Sequence, residues 1–132
     1  MKRVNEVSGF LPPKETACEI YFVNAERVAR VESSMPSEEI LQDVADTFKV
    51  LAHPSRIRII RALAQEELCV CDLAQILGLS ISATSHQLGA LRKLRLVSFR
   101  TEGKLVYYRL RDAFVHALLE DGIRHVTQES AR

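Results

Sequence analysis

The feature that most constrains this chain is a three-residue break, Gly78-Leu79-Ser80, between two segments of helical periodicity. Glycine after an apolar-periodic segment favours the left-handed residue that ends a helix, and serine is a preferred N-cap for the next one. Apolar spacing predicts the first helix from about Cys69 to Leu77 and the second from Ser80 to about Leu94. Two helices joined by so short a turn are typical of a helix-turn-helix.

The hydrophobic period changes after the second helix. β-Branched and aromatic residues lie on both sides of Thr101-Glu102-Gly103, over residues 96–99 and 105–110. This pattern predicts a β-hairpin, which in this position would be a wing. The sequence therefore predicts a mainly α fold with a β-hairpin, a winged helix-turn-helix.

Three further helices are predicted, over residues 37–51, 54–65 and 112–129. Ser37 and Asp112 are suited to cap their helices, and Pro54 is suited to a first helical turn. The apolar faces of the helices over 37–51 and 112–129 are expected to bury a dimer interface. We therefore predict a homodimer whose winged helix-turn-helix and dimerisation domain spans residues 37–132. Residues 1–36 are expected to form an N-terminal arm with a loose helix over 19–31 and one metal-ligand cysteine.

The charge of the chain is concentrated in one segment. The net charge is only +1, but residues 80–111 contain seven Lys or Arg and one Glu. A local basic segment of this kind favours binding to phosphate groups. A membrane span needs about 18 consecutive apolar residues, and no apolar run in the chain approaches that length. The segment after Met1-Lys2-Arg3 is too polar for the apolar core of a signal peptide. We expect a cytoplasmic protein without a membrane partner.

Double-stranded operator DNA is the partner that this arrangement predicts. The second helix would lie in the major groove, where small polar side chains near its start reach base edges. The residues predicted to do so are Ser82, Ser85, His86 and Gln87. The residues predicted to contact phosphates are Arg92, Lys93, Arg95, Arg100 and Lys104, the last two at the tip of the wing. The alternative is a solvated polar helix face beside an unrelated hairpin.

Three cysteines, Cys18, Cys69 and Cys71, suggest a thiolate site for a soft metal ion. Side chains two residues apart on a regular helix point about 200° apart, so Cys69 and Cys71 converge only if Cys69 lies at or before the first turn. Cys18 could approach the pair from the same subunit or from the partner. The alternative is that Cys69 and Cys71 fill the core as small apolar residues.

Three sequence runs resemble the ArsR/SmtB family of metal-sensing repressors over about residues 38–129. They are Glu67-Leu68-Cys69-Val70-Cys71-Asp72-Leu73-Ala74, Ser85-His86-Gln87-Leu88 and Gly103-Lys104-Leu105-Val106-Tyr107-Tyr108. Together with Cys18-Glu19-Ile20-Tyr21, the Cys-Val-Cys pair resembles the CadC type of cadmium and lead sensors. The resemblance implies a dimer that represses an efflux operon and leaves DNA when Cd(II) or Pb(II) binds the three cysteines, with Cys18 reaching across to the other subunit.

Two departures from that family refine the expectation. Arms of the CadC type carry a second cysteine where this chain has Phe22, so three thiolates favour Cd(II) or Pb(II) over tightly held Zn(II), although Zn(II) remains a candidate. The family's second metal site is reduced here to Asp112 and His125, with Phe114 and Gln128 at the other two positions. We therefore expect no zinc site there, and we assign Asp112 and His125 to helix capping and the dimer interface.

Two other functions would use the same cysteines. A repressor of the same fold could sense oxidation or sulfide, with Cys18 linked to Cys69 or Cys71. An enzyme with a cysteine nucleophile would need a nearby base and an oxyanion site, and no such group of residues stands out. We therefore predict a regulator rather than an enzyme.

Overall fold

The computed structural model describes residues 21–130, except for the side chain of residue 130. The chain divides into two units, Met1–Leu41 and Gln42–Arg132. In the first unit, helix α1 spans Ala25–Ser34, where the sequence predicted a helix over 19–31. The later start has a local cause, because the Asn24 side chain caps the helix by accepting a hydrogen bond from the Arg27 N–H at 3.0 Å. The predicted domain boundary at 36/37 stays a prediction.

The two helices that follow begin where the sequence predicted. Helix α2 spans Glu38–Leu51, and the Ser37 hydroxyl accepts a hydrogen bond from the Ile40 N–H at 3.3 Å. Helix α3 spans Pro54–Gln65, with Pro54 in its first turn. Proline fits there because the first N–H groups of a helix have no partner within it.

The helix-turn-helix consists of α4, Val70–Leu77, and α5, Ile81–Lys93. Gly78 closes α4 in the left-handed region, with φ 68° and ψ 31°, and Ser80 caps α5 through a 3.0 Å hydrogen bond from the Ala83 N–H. Both predicted roles are confirmed. Helix α4 begins one residue later than predicted, because Cys69 is extended and belongs to a short strand.

That strand, β1, covers Leu68–Cys69, and the hairpin strands β2 and β3 cover Val97–Glu102 and Leu105–Leu110. The three strands form an antiparallel sheet in the order β1-β3-β2. The hairpin confirms the prediction of a wing, whereas β1 was not predicted because two residues carry no detectable period. Helix α6, Phe114–Ser130, follows the sheet, and its first N–H donates to the Asp112 carboxylate at 2.9 Å.

The hydrophobic core lies where α3, α4, α5 and the sheet meet. Its fully buried members include Ile59, Ile60, Leu73, Leu88 and Leu91. The protein therefore has a mainly helical fold with a small sheet, a winged helix-turn-helix. Within residues 21–130 no helix is long and apolar enough to cross a membrane.

The left-handed turn between α4 and α5 gives a test of the fold. Replacing Gly78 with Ala should destabilise the protein by about 1–2 kcal/mol, because an L side chain is strained at positive φ even though the space around it is open. Replacing Gly89 with Ala should instead stabilise the protein by about 0.5–1 kcal/mol, because Gly89 lies inside α5 and the space around it is also open. Urea unfolding at one fixed protein concentration measures both. Equal effects of the two substitutions would contradict the role of Gly78.

Candidate nucleic-acid interface and thiol site

The outward face of α5 carries small polar side chains. Thr84, Leu88 and Leu91 are buried against the core, and the Thr84 hydroxyl donates to the Ser80 carbonyl at 2.8 Å. The predicted base-contacting residues Ser82, Ser85 and His86 are exposed on the other side of the same helix. Ile81, in the first turn of α5, is also 52% exposed, so the outward side of the helix carries a large apolar side chain beside its polar residues.

Gln87, the fourth predicted base contact, differs from these three. It is half-buried, and its side-chain oxygen accepts a 2.7 Å hydrogen bond from Nε of Arg56. A second nitrogen of Arg56, Nη1, donates to the backbone oxygen of Val50 at 3.1 Å. Gln87 is therefore fastened to the start of α3 and the end of α2, and it lies beside the exposed face rather than on it.

Arg92 connects the recognition helix with the wing. It lies in the last turn of α5, and its guanidinium lies 4.7 Å from the centre of the Phe99 ring on β2. The Phe99 ring in turn lies 5.7 Å from the ring of Tyr108. Contact of a cation with an aromatic face is favourable, and a basic residue near a helix C-terminus complements the helix dipole.

Arg100 lies within strand β2, opposite Tyr107 on β3, and not at the tip of the wing as the sequence suggested. Its Nε atom lies 2.9 Å from Oε1 of Glu67, and its Nη1 lies 3.7 Å from Oε1 of Glu102. The guanidinium carbon is 4.9 Å from the centre of the Tyr107 ring. The hydrogen bond with Glu67 raises the pKa of Arg100. Arg100 is thus a permanent cation already engaged with two carboxylates.

Lys104 occupies the turn of the hairpin. It follows Gly103, which has a φ of 63°, and its side chain is exposed. Among residues 21–130 its ammonium group has no ion pair with a carboxylate. Of the predicted phosphate contacts, Lys104 is the one nearest the tip of the wing.

Cys69 lies at the junction of β1 and α4. Its backbone is extended, with φ −83° and ψ 169°, and it pairs with Tyr107 on β3. The carboxylate of Asp72 accepts a hydrogen bond from the Cys69 N–H at 3.4 Å. Cys69 is therefore outside the helix, which is the condition under which two cysteines in this spacing can converge. Only 7% of the residue is exposed.

Cys71 lies in the first turn of α4 and is exposed. Cys18, the third predicted ligand, lies outside the described residues. Among the residues that the structure describes, no three His, Cys, Asp or Glu side chains form a group able to hold a metal ion. Cys69 and Cys71 supply two soft donors that suit Cd(II) and Pb(II), and a third donor has to come from elsewhere.

An apolar groove of about 570 Å³ lies between the end of α2 and α6. Phe48 of α2 and Val126 of α6 line it and remain 50% and 61% exposed. The predicted interface residue His125 is exposed next to Val126. The Asp112 carboxylate accepts the hydrogen bond from the Phe114 N–H at the start of α6, as its predicted capping role requires. This groove is an apolar surface that the described chain leaves uncovered.

Sequence reasoning missed three residues that the structure brings to these sites. Arg56 and Glu67 lie near the ends of α3, and Tyr107 lies in the wing. Each acts through a partner more than 30 residues away in the chain, as in the Arg56–Gln87 and Arg100–Glu67 hydrogen bonds. No local spacing indicates these contacts, although Glu67 is a charged residue two positions before the Cys-Val-Cys run.

Comparison with protein families identifies the central part of the chain. Residues 53–98, which include α3, α4, α5 and the start of β2, match the model of the arsR family of bacterial regulatory proteins. Those residues hold Cys69, Cys71 and the exposed face of α5. The match therefore covers the helix-turn-helix and the cysteine pair together.

Relatives and solved structures extend the likeness beyond that segment. The chain is 45% identical to a transcriptional repressor SmtB homolog of Synechocystis, covering 86% of this chain and 85% of the relative. It is 38% identical to the cadmium resistance transcriptional regulatory protein CadC of Listeria innocua, covering 80% and 89%. The homodimeric winged helix-turn-helix domain of a regulator from Mycobacterium bovis is similar with a TM-score of 0.60 and 33% identity, covering 73% and 91%.

Proposed function

Because the chain belongs to the ArsR family of bacterial regulatory proteins, whose members here are transcriptional regulators and not enzymes, we propose a specific metal-responsive repressor. In this proposal a cytoplasmic homodimer binds operator DNA, and the dimer is released from the DNA when Cd(II) or Pb(II) binds Cys18, Cys69 and Cys71. Dissociation derepresses genes for metal efflux or resistance. Zn(II) is a weaker candidate inducer.

The observation that carries the proposal is the position of Cys69 at the junction of β1 and α4. Because its backbone is extended, its thiol is free of the helical geometry that would direct it away from the thiol of Cys71. Cys71 is exposed in the first turn and open to a further ligand. Thiolates of this kind select soft ions, and Cys18 of the same or the partner subunit would supply the third.

The residues of the chain have distinct tasks in this proposal. Cys71 offers the accessible thiol, and Cys69 ties the ligand set to the sheet through its pairing with Tyr107. Ligation requires both thiols to lose their protons, so metal binding releases protons and weakens at low pH. Because Cys69 lies in β1 and Cys71 lies in α4, a bound ion acts on these two elements, which directly precede the turn to the recognition helix.

Removal of the thiol of Cys69 or of Cys71 should abolish the effect of metal binding on operator affinity. The Cys69→Ser and Cys71→Ser variants should bind operator DNA as wild type does without metal, because neither thiol lies on the exposed face of α5. Saturating Cd(II) should weaken operator binding by wild type about 5- to 150-fold, the usual range of allosteric coupling, and should leave the variants unaffected. Fluorescence anisotropy with a duplex selected by wild type from a random library measures both quantities.

The control for this experiment is the near-ultraviolet absorption of thiolate bound to Cd(II), measured on reduced protein. Cys18→Ser should diminish the band and the release together, since it removes one of three donors. A normal Cd(II) response in Cys69→Ser or Cys71→Ser would show the assigned site to be wrong. Wild type without a band, but with operator affinity that falls on oxidation, would favour the redox or sulfide sensor instead.

The proposed DNA contacts divide between bases and phosphates. Ser82, Ser85 and His86 on the exposed face of α5 are the proposed base contacts, supported by their exposure at the start of the helix. Arg92 and Lys104 are the proposed phosphate contacts. Gln87 and Arg100 remain predicted contacts, although the side-chain oxygen of Gln87 already accepts a hydrogen bond from Arg56, and Nε of Arg100 already donates one to Glu67.

Lys104 provides the test of the wing. Lys104→Ala should weaken binding to all DNA sequences alike and should lower the slope of log K against log salt by about 0.9 per subunit, the effect of one lost phosphate contact. The matched control is Lys49→Ala, an exposed lysine in the last turn of α2. An unchanged slope in Lys104→Ala would mean that the wing tip does not contact phosphate.

The groove between α2 and α6 supports the proposed homodimer. It is lined mainly by apolar side chains, and the exposed residues Val44 and Phe48 continue the apolar side of α2 at helical spacing. A second copy presenting the same surface would cover both grooves by two-fold symmetry. His125 would lie within or beside that interface.

A charge in the groove should therefore dissociate the dimer. Phe48→Glu places a carboxylate in the proposed interface twice, because the interface is symmetric, and should weaken dimerisation by at least about tenfold. Ile76→Glu is the matched control, since Ile76 is 51% exposed and Phe48 is 50% exposed. Sedimentation equilibrium measures the dissociation constants. Equal constants for the two variants would exclude this groove as the interface.

A further inference from the structure

One row of side chains runs across the sheet from the cysteine strand to the wing. The register pairs Cys69 of β1 with Tyr107 of β3, and Tyr107 with Arg100 of β2. Directly opposed residues in antiparallel strands point to the same face of a sheet. The Cys69 thiol, the Tyr107 ring and the Arg100 side chain therefore lie on one face, in that order.

Glu67 closes this row. It lies two residues before Cys69, and its carboxylate Oε1 lies 2.9 Å from Nε of Arg100. The guanidinium of Arg100 also lies over the Tyr107 ring, with 4.9 Å between its central carbon and the ring centre. Strands β1 and β2 are not hydrogen-bonded to each other, because β3 lies between them. The Glu67–Arg100 ion pair is thus a direct side-chain link between the start of β1 and the wing.

The link matters because β1 is short. Only Leu68 and Cys69 pair with β3, so the backbone attachment of this strand to the sheet is small. Cys69 is 7% exposed, so its thiol has to change its surroundings when it enters a shared ligand set. A shift of β1 carries Glu67 with it, and the ion pair then acts on Arg100.

We propose that Glu67 and Arg100 are positioning residues, whose ion pair transmits the state of the Cys69 strand to the wing. This inference rests on the proposed metal response. Without metal the pair holds the wing in its DNA-binding orientation, and ligation at Cys69 moves the wing through it. In this inference Arg100 acts through Glu67, in place of the phosphate contact that the sequence predicts for it.

A charge swap tests the pair in the full-length, reduced protein. The variants are Glu67→Arg, Arg100→Glu and the double variant E67R/R100E, which has the net charge of wild type and restores an ion pair. The measured quantity is the ratio of operator affinity without metal to that with saturating CdCl₂, with the selected duplex as probe. Each single variant should lower this ratio about two- to fivefold, the effect of an exposed ion pair. The double variant should restore it.

The matched control is Glu102→Arg. Glu102 also lies beside the Arg100 guanidinium, at 3.7 Å, but it belongs to β2 itself and cannot link the wing to β1. This variant makes the same change of charge as Glu67→Arg and should leave the ratio at the wild-type value. An equal fall of the ratio in Glu102→Arg would mean that local charge, and not the link, is responsible.

The other outcomes separate the inference from the proposed function. If the double variant fails to restore the ratio and Arg100→Glu reduces the salt slope, Arg100 is a phosphate contact and the inference is overturned. If wild type responds to Cd(II) and all variants respond equally, the inference fails while the proposed function stands. If wild type binds DNA but does not respond to Cd(II), the proposed metal response fails and the coupling with it.

Discussion

The pairing of Leu68 and Cys69 with the middle strand of the sheet is the contact on which the functional geometry depends. It extends the backbone at Cys69, so the thiol lies before α4 and not within it. The same pairing brings the cysteine strand beside the wing, through Tyr107. A two-residue strand thereby joins the candidate metal ligands to the candidate DNA-binding surface.

The recognition surface depends on how α5 is buried. Thr84, Leu88 and Leu91 pack inward, which turns Ser82, Ser85 and His86 outward as a face of small polar groups. The orientation of that face is held from two sides. Arg56 fastens the helix through Gln87, and Arg92 contacts Phe99 on the wing. The first contact fixes α5 against α3, and the second places the last turn of α5 beside the wing. A two-part DNA-binding surface requires such a defined geometry.

The groove between α2 and α6 is a part of the hydrophobic surface that the described residues leave exposed. Phe48 and Val126 are half or more exposed although they lie on the apolar sides of their helices. A helix that is amphipathic but not buried within its own chain indicates a surface for association. In the proposed dimer the same helix α2 that contributes to this surface also contacts Arg56 through the Val50 carbonyl. The Arg56 side chain would then connect α2, which contributes to the dimer interface, with Gln87 of the recognition helix.

Local sequence determined the order of the elements. Gly78 and Ser80 mark the turn of the helix-turn-helix, Gly103 marks the turn of the hairpin, and Pro54 marks the start of α3, because each residue has a strong conformational preference of its own. The basic segment and the Cys-Val-Cys pair were also visible, since composition and spacing need no folding to be recognised. From these features the fold class and the candidate groups of residues followed.

Only the tertiary structure decided which of these residues are already engaged. Strand β1 exists because the wing offers it a partner, and its two residues have no period that a sequence could reveal. The sequence positions of Arg100 and Gln87 suggest DNA contacts. In the structure, however, Arg100 donates a hydrogen bond to Glu67 and Gln87 accepts one from Arg56, each partner being more than 30 residues away in the chain. Contacts of that kind depend on how the chain packs, because the strength of a hydrogen bond depends on distance in space and not on separation along the chain.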